Sequence, residues 1–269
     1  MKINDLFITG YENMKLVPSG TLIIDVKWGG LGDHLFFSHI PQIAKETGKY
    51  KKVYISNYSE YKSPLYKPLL WDLHPYIDGY IDLPGWYPEI PDTLPGTNLL
   101  DMVMLGYGLD DGKRWHEPFF YYKPVLKKEL QDKVIYDPNF ITNAGRIGIK
   151  QLNKFFKGKK VDFQLSPRNN NLLLKDVPFI QSPTLEEYVS IIYSSESFYC
   201  LTSGGATLAA AMNKPANVLY GERVKSKFHH SKMHNYIYIR PDKKRLISKI
   251  KARTKQLFMN NKTKIWLHV

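Results

Sequence analysis

Two glycine-rich turns, about 170 residues apart, carry the side chains whose types and spacing could do chemistry in this chain. The first is Gly29-Gly30-Leu31-Gly32-Asp33. It lacks the third glycine of a dinucleotide-binding fingerprint, because Leu35 stands where Gly-x-Gly-x-x-Gly counted from Gly30 needs it, and it lacks the Lys-Ser/Thr pair of a phosphate-binding loop. It offers a carboxylate instead, Asp33, directly after a glycine. At the end of a strand such a group suits a general base that deprotonates a hydroxyl acceptor, and it equally suits a cap on the helix that follows. The second turn, Thr202-Ser203-Gly204-Gly205 with Thr207 beyond it, contains no acid. Its hydroxyls, backbone amides and helix N-terminus suit a diphosphate. Its small residues, with Ala206 and Ala209 to Ala211, equally suit a helix packed tightly on a sheet.

The flanking patterns supply strands and helices to position both turns. Residues 21 to 28 form a short apolar run after the turn signal Pro18-Ser19-Gly20 and lead straight into the first turn; Leu35, Phe36, Ile40, Ile43 and Ala44 then recur at helical spacing, with a kink expected at Pro41. Further strands are expected at Val53 to Ser56 and Gly79 to Leu83. From Pro84 to Pro124 the chain is rich in Pro, Gly and aromatic residues and shows no periodicity that assigns an element. After a linker near Lys127 to Asp132, a second series is expected: strand Lys133 to Tyr136, helix Asn143 to Phe156, strand Val161 to Leu165 and a proline-marked edge strand Val177 to Ile180. Helix Leu185 to Tyr193 opens after Pro183-Thr184 with Glu186 and Glu187 in its first turn. Strand Ser197 to Leu201 then runs into the second turn, followed by an alanine-rich helix over Ala206 to Met212 and a strand over Ala216 to Tyr220. Two units of strand, glycine turn and helix predict an α/β protein of two Rossmann-like domains.

The two segments together resemble glycosyltransferase family 9, the lipopolysaccharide heptosyltransferases. Leu22-Ile23-Ile24-Asp25-Val26-Lys27-Trp28-Gly29-Gly30-Leu31-Gly32-Asp33-His34-Leu35 is similar to the family's opening strand and Gly-Asp turn, and Ile40-Pro41 falls where the family commonly has a proline. Ser182-Pro183-Thr184-Leu185-Glu186-Glu187, the run Ser197 to Ala211, Lys214-Pro215 and Leu219-Tyr220-Gly221 resemble its donor-site helix, turn, alanine-rich helix and following strand, in that order. Trp71 to Asp78 resembles a family segment that precedes a strand.

The resemblance implies a GT-B fold: an acceptor domain over residues 1–127, a nucleotide-sugar domain over 128–240 and a basic C-terminal helix and tail over 241–269 that crosses back, with a cleft between the domains. It implies an inverting transfer without a metal or other cofactor, from a nucleotide-diphosphate sugar to a glycan or glycolipid acceptor of the lipopolysaccharide, lipooligosaccharide or capsule type. Asp33 matches the family's catalytic base, with Gly30 and Gly32 lining the cleft beside it. Thr202, Ser203, Gly204, Gly205 and Thr207 match contacts to the donor phosphates. Thr207 stands where the family usually has histidine and Thr202 where it has an acid or asparagine. The family's Lys-x-Trp segment is absent; Arg146, or alternatively Lys150, is expected in the lysine's place, with Thr142 also among the donor-binding residues. The altered residues keep a rival reading open, a non-catalytic nucleotide- or sugar-binding protein of the same fold.

Other groups admit plainer roles beside a functional one. Arg114-Trp115-His116-Glu117 concentrates charge with an aromatic, and Arg114 and His116 either face the acceptor or belong to a surface loop. His229, His230 and His234 form the only histidine cluster; with no acid nearby in a lysine-rich segment, they are expected to face solvent or phosphate rather than a metal. Some of the 19 Tyr and 13 Phe would give a sugar its stacking faces.

The 269 residues are 43% hydrophobic and 23% charged, which excludes a disordered chain. One cysteine, Cys200, excludes an internal disulfide or a cysteine-built zinc site and fits a reducing compartment. Asp5 interrupts any signal peptide and no run is long and apolar enough to span a membrane, so a cytoplasmic location is expected and the sequons at Asn57 and Asn261 carry no weight. The net charge is +13, and the excess lies wholly from Arg223 to Val269, where fourteen Lys or Arg face the single acid Asp242. A neutral body argues against nucleic acid, and one basic end argues for docking on an anionic membrane surface. Residues 243 to 258 predict a basic amphipathic helix, with Leu246, Ile247, Ile250, Leu257 and Phe258 on one face.

Overall fold

The apolar run Thr21–Ile24 forms the first strand, β1, with Leu22, Ile23 and Ile24 buried as a doubly covered strand requires. The structure, a computed structural model, describes residues 19–86, 96–140, 144–168 and 172–240. Thr142 and the basic helix expected over 243 to 258 lie outside these residues. Beyond β1 the first glycine turn feeds helix α1, Leu31–Phe37. Pro41 has no N–H to offer the preceding turn, so the expected kink is a full break, and α2, Ile40–Glu46, restarts with that proline at its beginning. Strands β2, Lys52–Ser56, and β3, Gly79–Ile81, follow, with a π-helical turn at Lys67–Asp72 between them. The three strands are parallel in the order β1-β2-β3. Ile24 also bridges Trp86 in parallel, so the chain returns after β3 to the other edge of β1.

The unassigned stretch holds helix α3, Leu99–Gly106, buried along its whole length. A helix covered all round has no polar face, which is why no periodicity announced it. Its start is a reciprocal cap: Asn98 Oδ1 accepts from Asp101 N at 2.9 Å and Asp101 Oδ2 accepts from Asn98 N at 3.1 Å. The expected linker is pinned to the protein, with Leu130 buried and Lys127 N–H donating to Ser194 Oγ at 2.8 Å.

The second sheet has six parallel strands in the order β6-β5-β4-β7-β8-β9. These are β4, Val134–Asp137; β5, Phe163–Leu165; β6, Phe179–Ile180; β7, Ser197–Leu201; β8, Asn217–Tyr220; and β9, Asn235–Tyr238, the last unanticipated. The helices are α4, Ile149–Phe156, α5, Leu185–Ser194, and α6, Gly204–Ala211. α4 is shorter than the expected Asn143 to Phe156. Gly145 adopts φ +75, and the loop pairs with the segment after β8 instead, Arg146 N–H donating to Glu222 O and Gly221 N–H to Ala144 O, each at 2.9 Å. Strand order reverses between β4 and β7, the switch point at whose carboxyl edge open α/β sheets bind ligands. The second glycine turn leaves that edge. The first leaves β1, where the bridge to Trp86 marks a similar reversal. One apolar core joins both sheets, with Leu31 and Leu35 of α1 and Ala206, Leu208 and Ala209 of α6 in it. Among the described residues no helix is long and apolar enough to cross a membrane.

Candidate active site

Asp33 lies in the first turn of α1, half-buried, and its Oδ2 accepts the Gly30 N–H at 2.9 Å. Burial lifts its carboxyl above the usual carboxylate range, while the Gly30 N–H and the Lys62 ammonium pull it back. Capping and basicity are therefore compatible: the bond to Gly30 fixes the carboxylate, and burial makes it a better proton acceptor. The next residue anchors the helix. Trp71 Nε1–H donates to His34 Nδ1 at 3.0 Å, and since an indole only donates, His34 carries its proton on Nε2, which donates to Glu60 O at 2.9 Å. Burial holds this histidine down to about 4.

The second turn is built differently. Ser203 is the N-cap residue of α6, yet its side chain makes no capping bond. Thr202 Oγ1 and Ser203 Oγ are buried with no hydrogen-bond partner among the described residues, and buried hydroxyls are rarely left so without a functional reason. Thr207 is 1% exposed and its hydroxyl donates back to Ser203 O at 3.4 Å, supporting the turn from inside. Beneath the turn lies Asp137, at the end of β4. Its Oδ2 accepts from Tyr188 OH at 2.6 Å and its Oδ1 from Asn139 N at 2.9 Å and Nδ2 at 2.8 Å. Burial raises this carboxyl, and those donors oppose the rise. A Cβ on Gly205 would collide with Tyr188 OH and sit 3.0 Å from Asp137 Oδ2, so only glycine lets α6 start this close to the acid.

The two turns meet. A Cβ on Gly32 would lie 3.2 Å from Gly204 Cα, and one on Gly204 would lie 2.9 Å from Gly32 N. Asp33 and the Thr202-Ser203 hydroxyls thus belong to one seam. Two residues not anticipated from the sequence cross it. Tyr66, buried in the first unit, is hydrogen-bonded to the guanidinium of Arg168 in the second; burial raises its phenol, Arg168 lowers it and the charge of Asp33 raises it. The guanidinium stands 5.6 Å from the centre of the Tyr188 ring. Neither residue sits in a motif, and only the contact between distant segments marks them.

Other expected residues lie elsewhere. Arg146 lines a cavity of about 440 Å³ with Gly145, Arg223, Lys225 and Lys227, and its guanidinium is 4.0 Å from Glu222. Lys150 is exposed in the first turn of α4. Arg114 forms a bidentate pair with Asp110 at 2.8 and 3.0 Å. His116 is held between Asp101 at 2.6 Å and Asp111 at 3.2 Å. Burial lowers its pKa, but the two carboxylates outweigh that and raise it overall. Both groups of that segment are thus matched by acids of α3 and of the loop that follows it.

The expectation that the histidines of the lysine-rich segment face solvent is corrected: His230 and His234 are buried. His234 Nε2–H donates to Ala206 O at 2.8 Å, the His230 ring packs edge-on against Phe36, 5.3 Å between centres, and Asn98 Nδ2 donates to His230 O at 2.5 Å. The cluster ties the second unit to α1 and α3. Trp28 and Tyr58, 58% and 60% exposed, stand on loops at the carboxyl edge of the first sheet. Among the described residues no group of three His, Cys, Asp or Glu is placed to hold a metal ion.

No protein-family model matches the sequence, and no curated protein matches it. Solved structures do. A family 9 glycosyl transferase from Veillonella parvula DSM 2008 superposes with a TM-score of 0.54 at 10% identity, over 87% of this chain and 89% of the other. The iron-containing dodecameric glycosyltransferase TibC from enterotoxigenic E. coli H10407 superposes with a TM-score of 0.56 at 15% identity, over 82% of this chain and 63% of the other. TibC in complex with ADP-D-beta-D-heptose gives 0.55 at 14% identity, over 80% and 62%. This chain therefore spans less than two thirds of TibC. These likenesses show the fold, which is that of the GT-B glycosyltransferases.

Proposed function

We propose that a chain with this fold and this seam is a glycosyltransferase that moves a hexose or heptose from a nucleotide-diphosphate sugar to a glycan or glycolipid acceptor of the lipopolysaccharide, lipooligosaccharide or capsule type. The observation that carries the reading is the meeting of the two glycine turns at Gly32 and Gly204, one followed directly by the carboxylate of Asp33 and the other preceded by hydroxyls that have no hydrogen-bond partner among the described residues. In this reading Asp33 takes the proton of the acceptor hydroxyl as its oxygen bonds to the anomeric carbon. The bond from that carbon to the phosphate oxygen breaks on the opposite face, so configuration inverts without a metal. The electron pair leaves with the nucleoside diphosphate, whose growing charge is met by Ser203, Gly204, Gly205 and Thr202 and the N-terminus of α6. Trp28 and Tyr58 offer ring faces to the acceptor sugars. The basic tail, residues 241–269, would hold the enzyme on the inner, anionic face of a membrane beside a lipid-linked acceptor.

A panel of ADP-, UDP- and GDP-sugars tests it. Wild type should release nucleoside diphosphate from one of them, and D33N should do so about 10²- to 10⁴-fold more slowly. Equal release by both proteins would remove Asp33 from the mechanism. Binding without release by wild type would favour the rival reading, a non-catalytic binding protein, which the inward-turned hydroxyl of Thr207 supports.

A further inference from the structure

We propose that Arg168 is the cation that grips the donor's diphosphate, and that Tyr66 holds its guanidinium until the donor arrives. The inference rests on the reading of the site given above and names a residue that neither turn contains. Besides Tyr66, two neighbours aim this arginine. Its backbone N–H donates to Asn139 Oδ1 at 2.8 Å, and Asn139 is itself fixed by Asp137 and by Ser166 O, at 3.2 Å from its Nδ2. Its guanidinium lies over the Tyr188 ring, whose hydroxyl is bonded to Asp137. Tyr188 OH and Asp137 are also the groups directly under Gly205, so the platform beneath the arginine is the floor of the second turn.

Charge separates Arg168 from the other two candidate arginines. Arg114 is matched by Asp110 and Arg146 faces Glu222. No carboxylate lies within ion-pair distance of Arg168 among the described residues; its partners there are a phenol hydroxyl and a ring face, and Asp137 acts on it only through Tyr188 and from a distance. A planar cation, exposed, preset on an aromatic platform at the switch point and hydrogen-bonded to a neutral group, lacks an anion. A diphosphate supplies two adjacent anionic groups that a guanidinium can bind bidentately. Taking it up exchanges the neutral bond to Tyr66 for charge-assisted ones and releases a contact that crosses the seam near Asp33.

Titration calorimetry with ADP, UDP and GDP, and with the matching nucleosides, tests this on the full chain. R168Q should weaken binding of the preferred nucleoside diphosphate about 10- to 100-fold while leaving nucleoside binding and the melting temperature unchanged. Y66F should tighten diphosphate binding about threefold or more, because it removes the competing acceptor. Diphosphate affinity of R168Q within twofold of wild type would overturn the inference alone. So would an equal loss for nucleoside and diphosphate, which marks a merely structural role. Failure of wild type to bind any of the three diphosphates would overturn the reading of the site and this inference with it.

Discussion

Asp33 carries the sharpest consequence at the scale of a residue. Its folded carboxyl titrates above its unfolded value, so its contribution to stability is whole at acid pH and is lost as pH rises through the folded value. At neutral pH the ionised group is therefore kept for chemistry at a cost in stability. D33N retains an oxygen for the Gly30 N–H, so at pH 7 it should melt no lower than wild type even as it loses transfer. The difference in melting temperature should shrink as pH falls through the raised folded value and the wild-type carboxyl takes up its proton. A D33N protein that melts well below wild type at pH 7 would show that the carboxylate is structural. Asp33 and Ser203 were legible because each adjoins glycine in a strand-turn-helix pattern. Arg168 and Tyr66 were not, because nothing in their local sequence differs from an ordinary loop arginine or core tyrosine.

At the scale of the element, the contact between the first turns of α1 and α6 decides how the two units meet. Gly204→Ala places a methyl 2.9 Å from Gly32 N and 3.1 Å from Leu31 Cβ, closer than packed atoms tolerate, and backbone cannot turn aside as a side chain does. The two helices must separate, at about 1–3 kcal/mol by the usual cost of overpacking. Denaturant melts should show that loss, and an unchanged midpoint would mean that the helices do not touch in solution. Helix boundaries were readable where caps are local, as at Thr184, whose Oγ1 accepts from Glu187 N at 3.1 Å. They were unreadable where partners are remote. α4 starts late because its expected first turns pair with the strand-end loop at Glu222, and α3 hides its period by being buried on every side.

At the scale of the molecule, histidines set the pH range of the fold. Burial holds His34 and His74 down to about 4 and His39 and His230 down to about 3, all neutral in the folded state. Unfolded histidines take protons near 6.5, so the unfolded state binds more protons below that value and stability falls as pH drops from 6.5 toward 4, by up to about 1.4 kcal/mol per pH unit for each such group. His116 works in the opposite sense, its raised value giving stability that is whole below 6.5 and lost as pH rises through it. Four groups outweigh one, and melts between pH 7.5 and 5 should show a clear loss on the acid side; a flat profile would mean that these rings are hydrated. The tail makes a separate prediction. Liposome sedimentation should show binding that needs anionic lipid and weakens with salt, and that falls sharply when Lys243, Lys244, Lys249 and Lys251 become glutamine. Equal binding to neutral vesicles would refute an electrostatic contact.

Parallel α/β strands, their order along the chain and both glycine turns could be read from residue types alone, because burial on two faces, the positive φ that Gly29 supplies and the absence of a proline N–H are demands that neighbouring residues must meet. Segment charge was equally plain, since it is a count. The tertiary structure alone decided what those turns face. Gly32 against Gly204, the guanidinium of Arg168 between Tyr66 and Tyr188, and the buried His230 and His234 are contacts between segments far apart in the chain or on opposite sides of the seam. A hydroxyl, an imidazole or a guanidinium carries the same sequence signature whether water or a partner surrounds it, and its surroundings are set by how the chain closes on itself.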